Sequence, residues 1–372
     1  MKLTIERAAL LRSLAHVQSV VERRNTIPIL ANVMIEAKAG ALALTATDMD
    51  LEIVERAAAE VGKEGTTTVP AHTFYEIVRK LPEGAQVRLE ANAERSQLLI
   101  KCGRSQFTLQ TLPGEDFPVM TGGELPTQFT LAAAELKTLV DRTSFAISTE
   151  ETRYYLNGIY LHAAAQGKVK FLRAAATDGH RLARVEMALP AGAEGMPGVI
   201  VPRKAVIEMR KLIDMSEAAV EVALSETRVR FGFDDITLTS KLIDGTFPDY
   251  ERVIPQNNDK ILEVARNEFT EAVDRVSTIS TEKSRAVKMA LTDGTLTLSA
   301  SSPEAGSATE ELEVKYNAGA IEIGFNSRYL LDITRQIEGE GVRFAMSDAA
   351  SPTLVQDVAD TSALYVLMPM RV

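Results

Sequence analysis

Three stretches of the chain open with one pattern of apolar and polar positions: a few residues alternating at period two, then an apolar stripe at helical spacing. They are LTIERAALLRSLAHV from Leu3, FTLAAAELKTLVDRT from Phe129 and LEVARNEFTEAVDRV from Leu262, with starts 126 and 133 residues apart. Leu10, Leu14 and Val17 keep one face of the first predicted helix, and Leu136, Leu139 and Val140 keep one face of the second. That spacing suits a helix lying on a layer below.

The later parts of the three copies also correspond. Alternating strands end in LALTATD at Asp48, FLRAAATD at Asp178 and LTLSASSP at Pro303. A second predicted helix comes later in each copy, in VPAHTFYEIVRKL from Val69, VPRKAVIEMRKLI from Val201 and GFNSRYLLDITRQI from Gly324. Pro70 and Pro202 enter their helices where a missing N–H costs nothing. Short alternating strands close each copy: QVRLEA, QLLIKC and QFTLQT; VEVAL, RVRFGF and ITLTSKL; VRFAMS, TLVQDV and LYVLMPM. The predicted unit is strand–helix–three strands, twice per repeat and six times in the chain. Matched offsets in both halves of each copy speak against three unrelated domains with similar helices. The boundaries expected from Gly/Pro-rich TGGELPT and polar PQNND give three domains, at residues 1–122, 127–252 and 258–372. The fold class is α+β: helix followed by three strands is wrong for a parallel βαβ sheet, so antiparallel sheets covered on one face by helices are expected.

Composition narrows the class without naming a function. The 372 residues are 45% hydrophobic and 25% charged, ordinary for a globular chain. No stretch approaches the ~18 apolar residues of a membrane span, and Glu6, Arg7 and Arg12 stand where a signal peptide needs its apolar core. The single cysteine, Cys102, rules out an intramolecular disulfide framework and sits in an alternating strand where a core-facing side chain is expected. A reducing cytoplasm is the expected compartment.

The net charge of -10 argues at first against nucleic acid. Its distribution reverses that. The six predicted helices with their flanks hold sixteen basic and twelve acidic residues, a balance of +4 that leaves -14 for the rest. Arg23-Arg24, Arg203-Lys204 and Arg210-Lys211 place like charges side by side, which suits an anionic partner better than a merely solvated face.

Candidate chemistry is sparse. There is no phosphate loop, no dinucleotide glycine fingerprint and no HExxH, and His16, His72, His162 and His180 lack second ligands at metal-site spacing. Asp48 and Asp50 in TATDMD could hold a magnesium ion, and Asp178 with His180 in TDGHR could form an acid/base pair; a metal-dependent phosphoryl-transfer enzyme using Asp48, Asp50 and Asp178 is the alternative reading. The repeat favours a structural role instead, with Asp48 and Asp178 bonding turn backbone at equivalent strand ends. Arg153-Tyr154-Tyr155 after the polar STEET can stack on bases and touch phosphate, or can start a strand with one tyrosine buried; the residues leave both open. A ligand-free structural repeat protein is a third option.

Seven segments then carry a resemblance over essentially the whole chain: TIPILANVMIEA, RYYLNGIYL, ATDGHRLA, VIVPRKAVIEM, SKLIDGTFPDYERV, IEIGFNSRYLLD and the terminal YVLMPMRV. Together they resemble the bacterial β sliding clamps of replicative DNA polymerases, which are processivity factors. The resemblance implies a DNA-clamp fold: a head-to-tail homodimer closed into a six-domain ring, helices inside and sheets outside, encircling double-stranded DNA without catalysis, cofactor or metal. It implies DNA contacts at Arg24, Tyr154, Tyr155, Arg203 and Lys204, to which Arg79 and Lys80 of the basic layer are added. It also implies a pocket for short linear peptides of the clamp loader, replicative and translesion polymerases and repair proteins. Its matching positions begin with Leu156, Thr177, Gly179, His180, Arg181 and Leu182. They continue with Pro248, Arg252, Val253, Tyr329, Val366 and Leu367, and end with Met368, Pro369, Met370 and Arg371. Flexible methionines over an apolar lining suit varied peptides. Pro352 and Val372 depart from better-known relatives at the pocket edge. The implied dimer contact joins Phe107 and Leu109 to Thr278 and Ile279, with Lys101 or Arg104 facing Glu304, Glu310 or Glu311 as a supplement.

Overall fold

The computed structural model describes residues 1–23, 26–120, 123–214, 218–280 and 285–371. The strand–helix–three-strand unit is there six times. Among the described residues the helices are α1 (Arg7–Val17), α2 (Ala71–Arg79), α3 (Ala133–Ser144), α4 (Arg203–Ile213), α5 (Arg266–Ser277) and α6 (Ser327–Thr334). Each follows a strand directly, so the chain turns from period two to period 3.6 within one or two residues. Glu6 makes that turn for α1 by accepting the Ala9 N–H at 2.9 Å, and Asn326 makes it for α6 by accepting the Arg328 N–H at 3.0 Å. Pro70 occupies the cap position of α2.

Among the described residues the strands form four antiparallel sheets. One has the order Glu60–Lys63, Lys2–Glu6, Gln86–Asn92, Gln97–Cys102, Ser105–Gln110. Its first strand is a short polar edge absent from the predicted unit, and the register slips where it meets Lys2. A second sheet of eight strands runs Thr127–Ala132, Ala219–Leu224, Arg228–Phe233, Ile236–Lys241, Leu51–Ala58, Ala41–Thr47, Asn32–Lys38, Gly65–Pro70. A third, also of eight, runs Val199–Pro202, Gly158–Gln166, Val169–Thr177, Arg181–Ala188, Ala363–Leu367, Thr353–Asp357, Gly341–Met346, Lys260–Ala265. The fourth runs Gly306–Glu313, Thr295–Ser302, Ala286–Thr292, Ile321–Asn326. Both eight-stranded sheets are therefore shared between successive repeats, through Leu51–Ala58 on Ile236–Lys241 and Arg181–Ala188 on Ala363–Leu367.

This sharing explains how the chain divides. One compact unit holds residues 1–137, 190–197 and 204–242; the other holds 138–189, 198–203 and 243–372. Within the first, Leu10, Leu14 and Val17 of α1 and Phe74 and Val78 of α2 are buried over the sheets, as the periodicity predicts. In the second, α5 and α6 pack together, and Phe269 meets Phe344 with ring centroids 5.1 Å apart. Leu136, Leu139 and Val140 of α3 and the Cys102 side chain are buried. No helix among the described residues is long and apolar enough to cross a membrane.

Candidate nucleic-acid and peptide interfaces

The predicted turn role of the repeated aspartates is borne out atom for atom. Asp48 Oδ1 accepts the N–H groups of Asp50 (2.9 Å) and Leu51 (2.7 Å), and Asp178 Oδ1 accepts those of His180 (2.9 Å) and Arg181 (3.0 Å). The threonine before each aspartate donates its hydroxyl to the carbonyl four residues on. The remaining carboxylate oxygens hold cations: Asp48 takes Lys204, Asp50 takes Lys241, and Asp178 takes the Arg181 guanidinium.

In the second unit this turn sets the rim of an apolar cluster. Leu156, Leu182 and Val366 are buried with Ala175, Ile200, Phe247, Tyr250 and Leu364. Strand alternation sends Leu367 to the opposite face from Val366, where it is buried beside its cross-strand partner Arg181. Gly179, His180, Pro248, Arg252, Val253 and Met368 are exposed around the cluster, while Thr177, Tyr329, Pro369 and Met370 are half-buried. The chain end is pinned: Met368 donates its N–H to the His180 carbonyl at 2.9 Å, and Met370 donates to Gly324 at 2.8 Å. Arg371 is exposed, and Val372 lies outside the described residues. Pro352 accepts from the Asn258 side chain through its carbonyl at 2.9 Å.

Sequence reasoning missed what holds this rim in place. Arg181 donates to Asp332 (2.7 Å) and to the Phe145 carbonyl (2.6 Å), with its guanidinium 4.2 Å from the Tyr329 ring centre. Tyr329, His180, Arg181 and Arg203 share a cavity of about 490 Å³ with Phe145 and Glu150. Beneath the cluster, Tyr160 stacks on Phe247 at 4.9 Å, and His162 Nε2 lies 2.8 Å from the Tyr250 hydroxyl. Burial lowers the His162 imidazole and raises the Tyr250 phenol, so both stay neutral near pH 7. An alternating apolar pattern could place these rings in the core but could not pair them.

The Arg153-Tyr154-Tyr155 trio is not a strand start: it lies in a 3-10 turn, Glu151–Leu156, with the strand beginning at Gly158. Tyr154 is 53% exposed, and Tyr155 packs its ring on the apolar cluster. Arg153 donates twice to Glu150, at 2.8 and 2.6 Å, and this holds the Glu150 carboxyl below its ordinary range. In the first unit, Arg79 and Lys80 both face Glu76, at 2.7 and 3.7 Å. Lys204 donates to Asp48 at 2.5 Å and to Glu22 at 3.2 Å. Burial alone would lower its ammonium, yet these two carboxylates raise it above the ordinary lysine value. Arg24 lies outside the described residues.

Family models for the DNA polymerase III beta subunit match the chain in three consecutive parts: the N-terminal domain over residues 1–121, the central domain over 130–249 and the C-terminal domain over 251–371. The chain belongs to the bacterial β sliding clamp family. It is 55% identical to the Caulobacter vibrioides clamp and 40% identical to that of Escherichia coli, over the full length of each chain. Among solved structures, the Bartonella birtlesii clamp bound to griselimycin superposes with a TM-score of 0.97 at 50% identity, and a Caulobacter crescentus clamp with 0.95 at 54%, each covering 100% of both chains. The six repeated units are thus the three-domain architecture of this family of replication processivity factors.

The residues that the clamp resemblance assigns to a dimer contact lie at sheet edges or beside them. Phe107, 36% exposed, and half-buried Leu109 are on the edge strand Ser105–Gln110. Thr278 follows α5 at its C-terminal end with Ile279 half-buried beside it. In the same unit the strand Gly306–Glu313 forms a sheet edge with an alternately exposed face. Glu310 on that strand is engaged within the chain by Arg275 at 2.6 Å, whereas Lys101 and Arg104 are exposed. Among the described residues no three His, Cys, Asp or Glu side chains are grouped to hold a metal ion.

Proposed function

We propose that two copies of this chain close head to tail into a ring of six domains, with boundaries at residues 1–122, 127–252 and 258–372, that encircles double-stranded DNA in the cytoplasm. The observation that carries the reading is the sixfold unit ending in two open sheet edges, Ser105–Gln110 and Gly306–Glu313, each free to accept a strand from another copy. A ring holds DNA topologically, so its cations need only weak phosphate contacts, and Arg24, Arg79, Lys80, Arg203 and Lys204 with Tyr154 and Tyr155 supply them. The cluster under Leu156, Leu182 and Val366, rimmed by His180, Val253 and Met368, receives apolar peptide motifs of polymerases, the clamp loader and repair proteins. The chain performs no catalysis in this reading. Mass measurement of the native assembly should give a dimer near twice 40.5 kDa. With its loader the protein should stay longer on nicked circular DNA than on linear DNA with free ends; equal retention refutes encirclement. Removing residues 368–372 should abolish binding of a short apolar peptide and leave the dimer intact, and loss of the dimer instead would overturn the pocket assignment.

A further inference from the structure

Three of the cations assigned to DNA, Arg79, Lys80 and Lys204, are already partnered within the chain. Lys204, the second residue of α4, reaches two carboxylates from the first repeat. Asp48 is fixed, because its Oδ1 is taken by two turn N–H groups and Oδ2 is left aimed at the ammonium. Glu22 is different. Its side chain is 59% exposed, it lies in the loop after α1, and its 3.2 Å contact is the looser of the two. An exposed ion pair of this kind contributes little to folding, so its main consequence falls on what Lys204 can bind. The Lys204 side chain is itself 39% exposed and open to an anion from solvent. An arriving phosphate meets an ammonium with two of its three N–H groups in use, and gains full contact only by displacing a carboxylate.

We propose that Glu22, with Asp48 as the fixed second arm, competes with the DNA phosphate for Lys204 and so sets this contact weak enough for sliding. The inference rests on the clamp reading and adds an affinity-setting residue to it. A ring held by topology gains nothing from a tightly held phosphate, since each one must be released at every step along the duplex. A carboxylate that re-forms its bond as the phosphate leaves makes release easier without removing the cation. Arg79 and Lys80 facing Glu76 repeat the arrangement on α2.

The test is anisotropy of a labelled oligonucleotide duplex titrated with the full-length protein at several salt concentrations. Glu22→Gln keeps the shape of an exposed side chain and removes its charge. It should bind duplex about two- to fivefold more tightly at low salt, with a salt dependence steeper by up to about one phosphate contact. In a Lys204→Ala background the same substitution should give no gain, because the group it releases is gone. An equal gain with and without Lys204 would mean that only the overall field had changed, and would overturn the proposal. So would equal affinity of wild type and Glu22→Gln. Failure of the wild-type protein to stay on nicked circular DNA is a different result, which removes the clamp reading itself.

Discussion

Two sheet junctions in this chain share one backbone and differ in what they can hold. In the first unit Leu51–Ala58 pairs with Ile236–Lys241; in the second, Arg181–Ala188 pairs with Ala363–Leu367. The turn before each is the same aspartate turn, and each is closed by one further bond. Lys241 donates to the Asp50 carbonyl at 2.8 Å, and Met368 donates to the His180 carbonyl at 2.9 Å. The registers put Glu52 opposite Thr239 in one junction, where the other has Leu182 opposite Val366. The first junction accordingly borders a cavity of about 900 Å³ lined by Glu52, Arg228, Arg230, Thr237 and Thr239. The second carries the apolar cluster proposed above to receive peptides. Backbone repetition supplied two equivalent junctions; a few side chains decided which is apolar and which is polar.

Exchanging those side chains should therefore break the difference. Leu182 is 3% exposed among Ala175, Ile200 and Val366. Leu182→Glu buries a carboxylate with no partner and should cost about 3–5 kcal/mol, read as a fall in melting temperature together with loss of peptide binding. Val366→Thr introduces the hydroxyl that Thr239 carries and should cost about 1–2 kcal/mol while leaving the fold intact. A Leu182→Glu protein that melts within a degree or two of wild type would show that burial is not what separates the junctions.

The turns themselves differ at the residue after the aspartate. Gly179 has φ +87°, and a Cβ there would lie 2.6 Å from the Arg153 Nη1 atom; Met49, its counterpart, holds φ +78° with a side chain and stays exposed. Left-handed backbone costs a residue with a side chain roughly 1–2 kcal/mol. Gly179→Ala should destabilise by about that much, with Arg153 displaced from Glu150. Met49→Gly should be neutral or stabilising, by up to about 1 kcal/mol, in the same denaturant titration. If both substitutions prove neutral, the left-handed residue is not what separates the two turns in energy.

The sixfold unit was legible because a strand and a helix leave different periods in the sequence, and the aspartate turn because its residues recur at matched strand ends. Strand neighbours were not legible. Period two tells which face a residue occupies, not which strand lies alongside, so the sharing of sheets between repeats had no signal. Partners distant in sequence were hidden for the same reason: Arg181 with Asp332, and Lys204 with Asp48. The pocket residues came through resemblance, and the pairing of Arg79, Lys80 and Lys204 with carboxylates came only from the fold. The 3-10 turn at Tyr154 and Tyr155 escaped a reading that weighed only strand start against stacking trio, because a short polar segment has no period to read.

The smallest effect sharpens the comparison most. Glu52 is 8% exposed, accepts the Met120 N–H at 2.9 Å, and has its carboxyl raised by burial, against the pull of that bond and of Arg228. The sign follows from proton binding. In the window between the ordinary carboxylate value and the raised one, the folded state holds more protons than the unfolded chain. Stability is therefore lost as pH rises through that window, and at neutral pH the ionised Glu52 weakens the first junction. Glu52→Gln keeps an acceptor for Met120 and removes the titration. It should be more stable than wild type at pH 7, by up to about 1 kcal/mol, and the two should converge as pH falls below the window. Denaturant midpoints across that range measure it. A Glu52→Gln protein weaker at pH 7 would mean that the Glu52 charge is compensated in place, and that the polar junction is held by its ions much as the apolar one is held by packing.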